Sequence, residues 1–307
     1  MRQRTPRQST GADVERIFFG DNQFFGINHF SEEKARQQAI KFQDLSAILG
    51  VLQSALSAGV NGFMCTTHET VGQIADEVRA HPEKWDGFRF YPGMPYAHKY
   101  ANAVTELGYI GALKKLIPSG GMIDTLTRGT RAVLGKDIES VMAMLVDAEM
   151  KMFDGLETPV IFLQNVVTDL ILGLGASDVF ASFAKYVKRR YKAEAGFFTM
   201  NLPKLLEALN SAGVDNPIVC ANVNKAGFRM SGGIEGYRDA AARYPARVIA
   251  MSVFASGGIP PREAIEWVTN EPYVESIVFG ASSRGNIEST VALIREFDDS
   301  RKARLRA

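Results

Sequence analysis

Lys225 stands in the segment NVNKAGF, flanked by amide and apolar side chains. A lysine partly desolvated by neighbours such as Ala226 and Phe228 loses some of its preference for the charged form. Its neutral amine can then attack a carbonyl to give a Schiff base. Asn222 and Asn224 are placed to orient that carbonyl and its oxyanion. Two other readings stay open: a lysine that holds a substrate phosphate or carboxylate, and a loop lysine with no role. Imidazole titrates near neutral pH, so His68 and His98 are candidates for general acid–base work. Asp21 adds a carboxyl group to this set, and Tyr96 a phenol two residues before His98. Tyr96 with His98 or Lys99 could form a proton relay. Two or three imidazoles (His29, His68, His98) with Asp21 or Glu69 could also hold a divalent metal. Their spacing matches no known metal motif such as H-E-x-x-H.

These residues share a position. Each follows a short apolar run rich in β-branched or aromatic residues, and there are eight such runs: 16–20, 61–66, 88–92, 159–164, 195–199, 217–222, 247–253 and 276–280. Runs this continuously apolar suit parallel strands covered on both faces. Between them lie amphipathic helical patterns with their own start and stop signals. Asn201 precedes a helix with Pro203 in its first turn and Gly213 after its end. Eight strand–helix units predict an α/β fold, a closed (β/α)8 or TIM barrel, in which side chains at the C-terminal strand ends converge on one mouth. On that fold Asp21, Asn22, His68, Tyr96, Gln164, Asn165, Thr199, Asn201, Asn222, Asn224, Lys225, Ser282, Ser283 and Arg284 are neighbours. The opposite strand ends show no such polar enrichment in the sequence. An open dinucleotide-binding sheet would need a G-x-G-x-x-G after its first strand, and none is present.

The remaining sequence bounds the fold. Residues 1–14 read as a solvated tail and 15–307 as one barrel domain, with a long helical insertion at 96–158 between strands three and four. The insertion holds PSGGMIDTLTRG and the Met-rich VMAMLVDAEMKMF. It reads either as packing on the barrel wall or as a lid or a subunit contact in a homo-oligomer. Lys and Arg total 35 against 34 for Asp and Glu. That balance argues against nucleic acid as a partner and for a small molecule. No apolar stretch is long enough to span a bilayer. Two distant cysteines and no signal-peptide pattern place the expectation in the cytoplasm.

Four segments carry a resemblance to a known family. AGFFTMNLPKLLEAL, RVIAMSVFASGGIPPREAIEWV, SIVFGASSRGNIESTVALI and SALSAGVNGFMCTTHETVGQIADEV are similar to the fifth, seventh, eighth and second strand–helix units of the aldo-keto reductase superfamily. The resemblance covers about half the chain. It implies a barrel oxidoreductase with NADPH or NADH as cofactor. It also implies that Thr199 and Asn201 stand at the nicotinamide contact, and that Ser282, Ser283, Arg284 and Asn286 form the loop for the adenosine phosphate. The family's catalytic tetrad is not matched. No Asp or Tyr follows strand two in the usual places, and no Lys ends strand three. Gln164 and Asn165 stand where a His is expected, and Met251 or Ser252 where an aromatic ring stacks on the nicotinamide. Three readings follow. The first is a divergent reductase acting on the carbonyl group of a small polar metabolite. The second is a lyase, aldolase or isomerase built on Lys225. The third is a barrel that binds a ligand without catalysis.

Overall fold

The computed structural model describes residues 14–26, 32–96 and 130–306. Eight strands run β1 (Ile17–Gly20), β2 (Gly62–Cys65), β3 (Arg89–Met94), β4 (Val160–Leu163), β5 (Glu194–Thr199), β6 (Ile218–Asn222), β7 (Arg247–Met251) and β8 (Val274–Phe279). Each is parallel to the next, and β1 pairs with β8 to close the barrel. Ten α-helices are described: α1 (Glu32–Lys41), α2 (Leu45–Ser57), α3 (Glu69–Ala80), α4 (Thr130–Met150), α5 (Asn165–Leu174), α6 (Asp178–Tyr191), α7 (Leu202–Ser211), α8 (Gly233–Arg243), α9 (Pro261–Asn270) and α10 (Arg284–Arg306).

The strands are apolar on both faces because both are covered. Phe18, Tyr91, Phe162, Cys220 and Ile249 point into the barrel and pack on one another. Their neighbours Ile17, Phe19, Phe90, Ile161 and Val248 point outward under the helices. The interior rings need space that only glycine leaves. A Cβ at Gly196 would lie 2.3 Å from the Phe162 ring, which is tilted against Phe198 at 4.8 Å between centroids.

The N-terminal rim of the barrel corrects one expectation. It too carries polar residues, but they pair with one another. Arg89 bridges Glu15 at 2.6 Å and Glu157 at 2.8 Å, Arg247 meets Glu275 at 2.7 Å, and Arg16 meets Asp298 of α10 at 2.6 Å. Polarity alone therefore does not distinguish the two ends.

The described part of the 96–158 insertion is α4 and the turn after it. Met142, Leu145, Val146 and Met150 of α4 are buried, so its Met-rich face is wall packing. Asp147 accepts hydrogen bonds from the hydroxyls of Tyr186 and Tyr191, which ties α4 to α6. The segment PSGGMIDTLTRG lies outside the described residues. Among the described residues no helix is long and apolar enough to cross a membrane.

Candidate active site

A cavity of about 1540 Å³ opens at the C-terminal end of the barrel, and all eight strands or the loops directly after them contribute to its lining. Parallel strands with right-handed crossovers deliver these loops to the same end, so the convergence follows from the topology.

One corner is built from β1, β2 and β3. Asp21 follows β1 and is 6% exposed. Its Oδ2 accepts from the Thr66 N–H at 2.6 Å and from the Thr66 hydroxyl at 2.8 Å. Burial pushes its carboxyl above the usual range, against the pull of those two donors. Tyr96 follows β3 and also borders the cavity. Burial raises its phenol, and the nearby Asp21 charge adds to the rise. The Tyr96 N–H donates to Glu149 Oε2 at 3.0 Å, and the Thr67 hydroxyl donates to the same oxygen at 2.5 Å. Glu149 lies on α4 and is 3% exposed. His68 is not in the cavity lining. Its Nδ1 accepts from the Thr70 N–H at 3.1 Å and caps α3, and its ring lies 4.3 Å from Phe25 and 6.1 Å from Tyr96. His98, Lys99 and His29 lie outside the described residues. Among the described residues no three His, Cys, Asp or Glu side chains cluster as metal ligands do.

The Asp21 environment gives a pH prediction. Its folded carboxyl holds its proton more tightly than the unfolded one does. The group's stability contribution is therefore largest at low pH and falls as pH rises through the folded value. Asp21→Asn keeps an oxygen acceptor for Thr66 and removes the buried charge. Its thermal midpoint should exceed the parent's at neutral pH, and the gap should close as the parent's Asp21 protonates on acidification. A gap that stays constant with pH would contradict this.

The corner from β4 to β6 separates residues that the sequence groups together. Gln164, Asn165 and Asn222 line the cavity; Thr199, Asn201, Asn224 and Lys225 do not. The Thr199 hydroxyl is buried. It donates to Asp169 Oδ1 at 2.6 Å and accepts from the Asn201 N–H at 2.8 Å. Asn201 Oδ1 caps α7 through the Lys204 N–H. Both expected nicotinamide contacts are thus taken up by local structure, and Met200, between them, borders the cavity instead. Lys225 corrects the sequence reading most sharply. It is 50% exposed in its side chain and salt-bridged to Glu263 at 2.8 Å. The desolvation on which a Schiff-base role depends is absent.

The corner from β7 to β8 combines a left-handed loop with a helix N-terminus. Ser252, Ala255, Ser256 and Gly257 all have positive φ, and the loop they form borders the cavity. After β8, Ser282 and Asn286 line the cavity at the start of α10. Ser283 instead caps that helix, accepting from the Asn286 N–H at 3.4 Å. Arg284 is exposed and paired with Glu288 at 2.7 Å, away from the lining. The cation in this corner is Lys41 of α1, which borders the cavity and donates to the Ser282 carbonyl.

Sequence reasoning missed Glu149, Lys41 and Arg229. A signal existed for Glu149: positions 142, 145, 146 and 149 form the buried stripe of α4, so its carboxylate had to face inward. Lys41 and Arg229 carry no such signal, because only the tertiary fold brings them to the cavity.

No protein-family model matches the sequence, and no curated protein sequence matches it. The fold does match solved structures. A Pseudomonas aeruginosa protein provisionally classed as an aldo-keto reductase superposes with a TM-score of 0.59 at 15% identity, over 95% of this chain and 94% of that one. A protein provisionally classed as a 2,5-diketo-D-gluconic acid reductase B gives 0.54 at 10% identity, over 93% and 85%. Aldose reductase from Giardia lamblia gives 0.52 at 10% identity, over 92% and 90%. The chain is a divergent example of the barrel fold found in aldo-keto reductases. Identities this low carry the fold alone, and no site residue is transferred from those structures.

Proposed function

We propose that this chain is an oxidoreductase that binds NADPH or NADH and reduces the carbonyl group of a small polar metabolite. The observation that supports this most is the continuity of the cavity from the Asp21–Tyr96 corner to the N-terminus of α10. Pockets for drug-sized ligands reach about 1000 Å³. At about 1540 Å³ this cavity has room for a dinucleotide beside a second small molecule. The phosphate end fits on its own chemistry: a long helix points its positive dipole end at the cavity, with Ser282, Asn286 and Lys41 around it. Away from that end, Gln164 and Asn165 are among the lining amide side chains that could hold a carboxamide.

When bound, the cofactor supplies the hydride. The chain must supply the proton and the orientation. Tyr96 is the proton donor in this reading, since burial and the Asp21 charge keep its phenol protonated across neutral pH. Asp21, held by Thr66, is the next carboxyl along.

The test is titration of the purified chain with NADPH and NADH, read by the fluorescence of the reduced nicotinamide. Asn286→Asp should weaken binding by about tenfold or more, the scale of a like charge set close to a phosphate. Arg284→Ala should change it by less than about twofold, as for an exposed surface pair. No binding of either cofactor at millimolar concentration would remove the oxidoreductase reading.

A further inference from the structure

Arg229 is held at the cavity by an arrangement that has no evident purpose within the fold. Its backbone is left-handed, with φ 54°, a conformation that disfavours every residue with a Cβ. Two buried asparagines hold the loop in that shape. Asn222, 1% exposed, donates from Nδ2 to the Arg229 carbonyl at 3.0 Å. Asn224, fully buried, donates to the Phe228 carbonyl at 3.0 Å and accepts from the Phe228 N–H at 2.8 Å. The Phe228 ring packs on Ala255 and Ile259 of the neighbouring loop, and the Arg229 guanidinium lies over that ring, 5.3 Å from its centroid. The side chain borders the cavity and is exposed. Among the described residues its guanidinium makes no ion pair and no hydrogen bond. The described lining also holds a second cation, Lys41, against one acid, Asp21.

We infer that Arg229 is an anion receptor, and that the substrate of this cavity carries a carboxylate or phosphate group that the guanidinium binds. A planar guanidinium already oriented by stacking matches either oxyanion with two parallel hydrogen bonds and loses little freedom in doing so. The asparagines explain why the loop keeps its cost: Asn222 and Asn224 orient the receptor through the backbone of Phe228 and Arg229. This names a substrate class for the carbonyl-reductase reading and rests on that reading for the reaction, though not for binding.

The experiment measures binding before turnover. The full chain and Arg229→Met are titrated calorimetrically with 4-carboxybenzaldehyde, with its methyl ester and with NADPH, the aldehydes both with and without saturating NADP+. The parent should hold the acid more tightly than the ester. Arg229→Met should weaken the acid by about 10- to 100-fold, the loss of a charge-assisted pair, and leave the ester and NADPH unchanged. A parent that holds acid and ester equally overturns the inference. So does a variant that loses NADPH and not the acid, which would assign the guanidinium to a cofactor phosphate. Arg229→Gly separates binding from folding. Glycine accepts the left-handed backbone freely, so this variant should have a thermal midpoint no lower than the parent's and still lose the acid. If Arg229→Gly unfolds more readily, the arginine is structural and the inference falls. If the acid binds through Arg229 but neither aldehyde is reduced, the reductase reading fails and the receptor stands.

Discussion

Tyr96→Phe should lower kcat by roughly 10²- to 10⁴-fold, the range for loss of a positioned general acid, and leave cofactor affinity unchanged. The substitution removes one oxygen. The backbone N–H of residue 96 still reaches Glu149, so the corner keeps its shape. A drop in kcat without a matching rise in KM marks an interaction made in the transition state and not in ground-state binding. The pH profile adds a second check. Because burial and Asp21 raise the phenol, parent turnover should hold up to and beyond the usual tyrosine range before any alkaline limb appears. A variant within a few-fold of the parent would transfer the proton-donor role to a residue beyond Tyr96, with His98 the first to test.

Glu149→Ala should be the most damaging substitution for stability, at about 3 kcal/mol, because it leaves a buried N–H and a buried hydroxyl without their acceptor. Both donors, on Tyr96 and Thr67, point at Glu149 from adjacent loops. The loss is a large part of a stability that is typically about 5–15 kcal/mol in total. Glu149→Gln retains one carbonyl oxygen and should cost about half as much or less on the same scale. Denaturant unfolding of the two variants side by side measures the difference. Equal stability of parent and Glu149→Ala would mean that the loops re-pair elsewhere. The alanine variant should also lose turnover through displacement of Tyr96, whereas the glutamine should retain most of it.

The strands were readable from sequence because double-sided burial removes the polar alternation that would otherwise blur their ends. Predicted and observed ends agree within two residues for every strand, with β3 running on through Met94, β7 ending at Met251 and β8 starting at Val274. The barrel fold and its mouth follow from that. The individual site residues were less readable, for a reason that Thr199, Asn201 and Asn224 share. A buried polar group near a strand end takes the nearest backbone partner, and that partner is a loop or helix cap more often than a ligand. Lys225 failed differently: Glu263 lies on α9, 38 positions away, and nothing local foretells a salt bridge across two loops. The placement of Asp21 and Tyr96 at the cavity was legible because each directly follows its strand, where direction is set by the barrel itself.

The bond between Arg16 and Asp298 joins positions 282 apart, and it has a consequence for how the chain is made. β8 and α10 leave the ribosome after β1 to β7, yet they close the barrel against β1 and supply Ser282 and Asn286 to the cavity. While residues 274–306 are still within or just outside the exit tunnel, β1 and β7 present unpaired edges and the apolar faces beneath α10 are wet. Such a nascent chain resembles a sheet with two sticky margins. The wait is long because contacts of this sequence separation form slowly. Synthesis speed over β8 and α10 and access to a holdase chaperone should therefore influence the yield of folded protein.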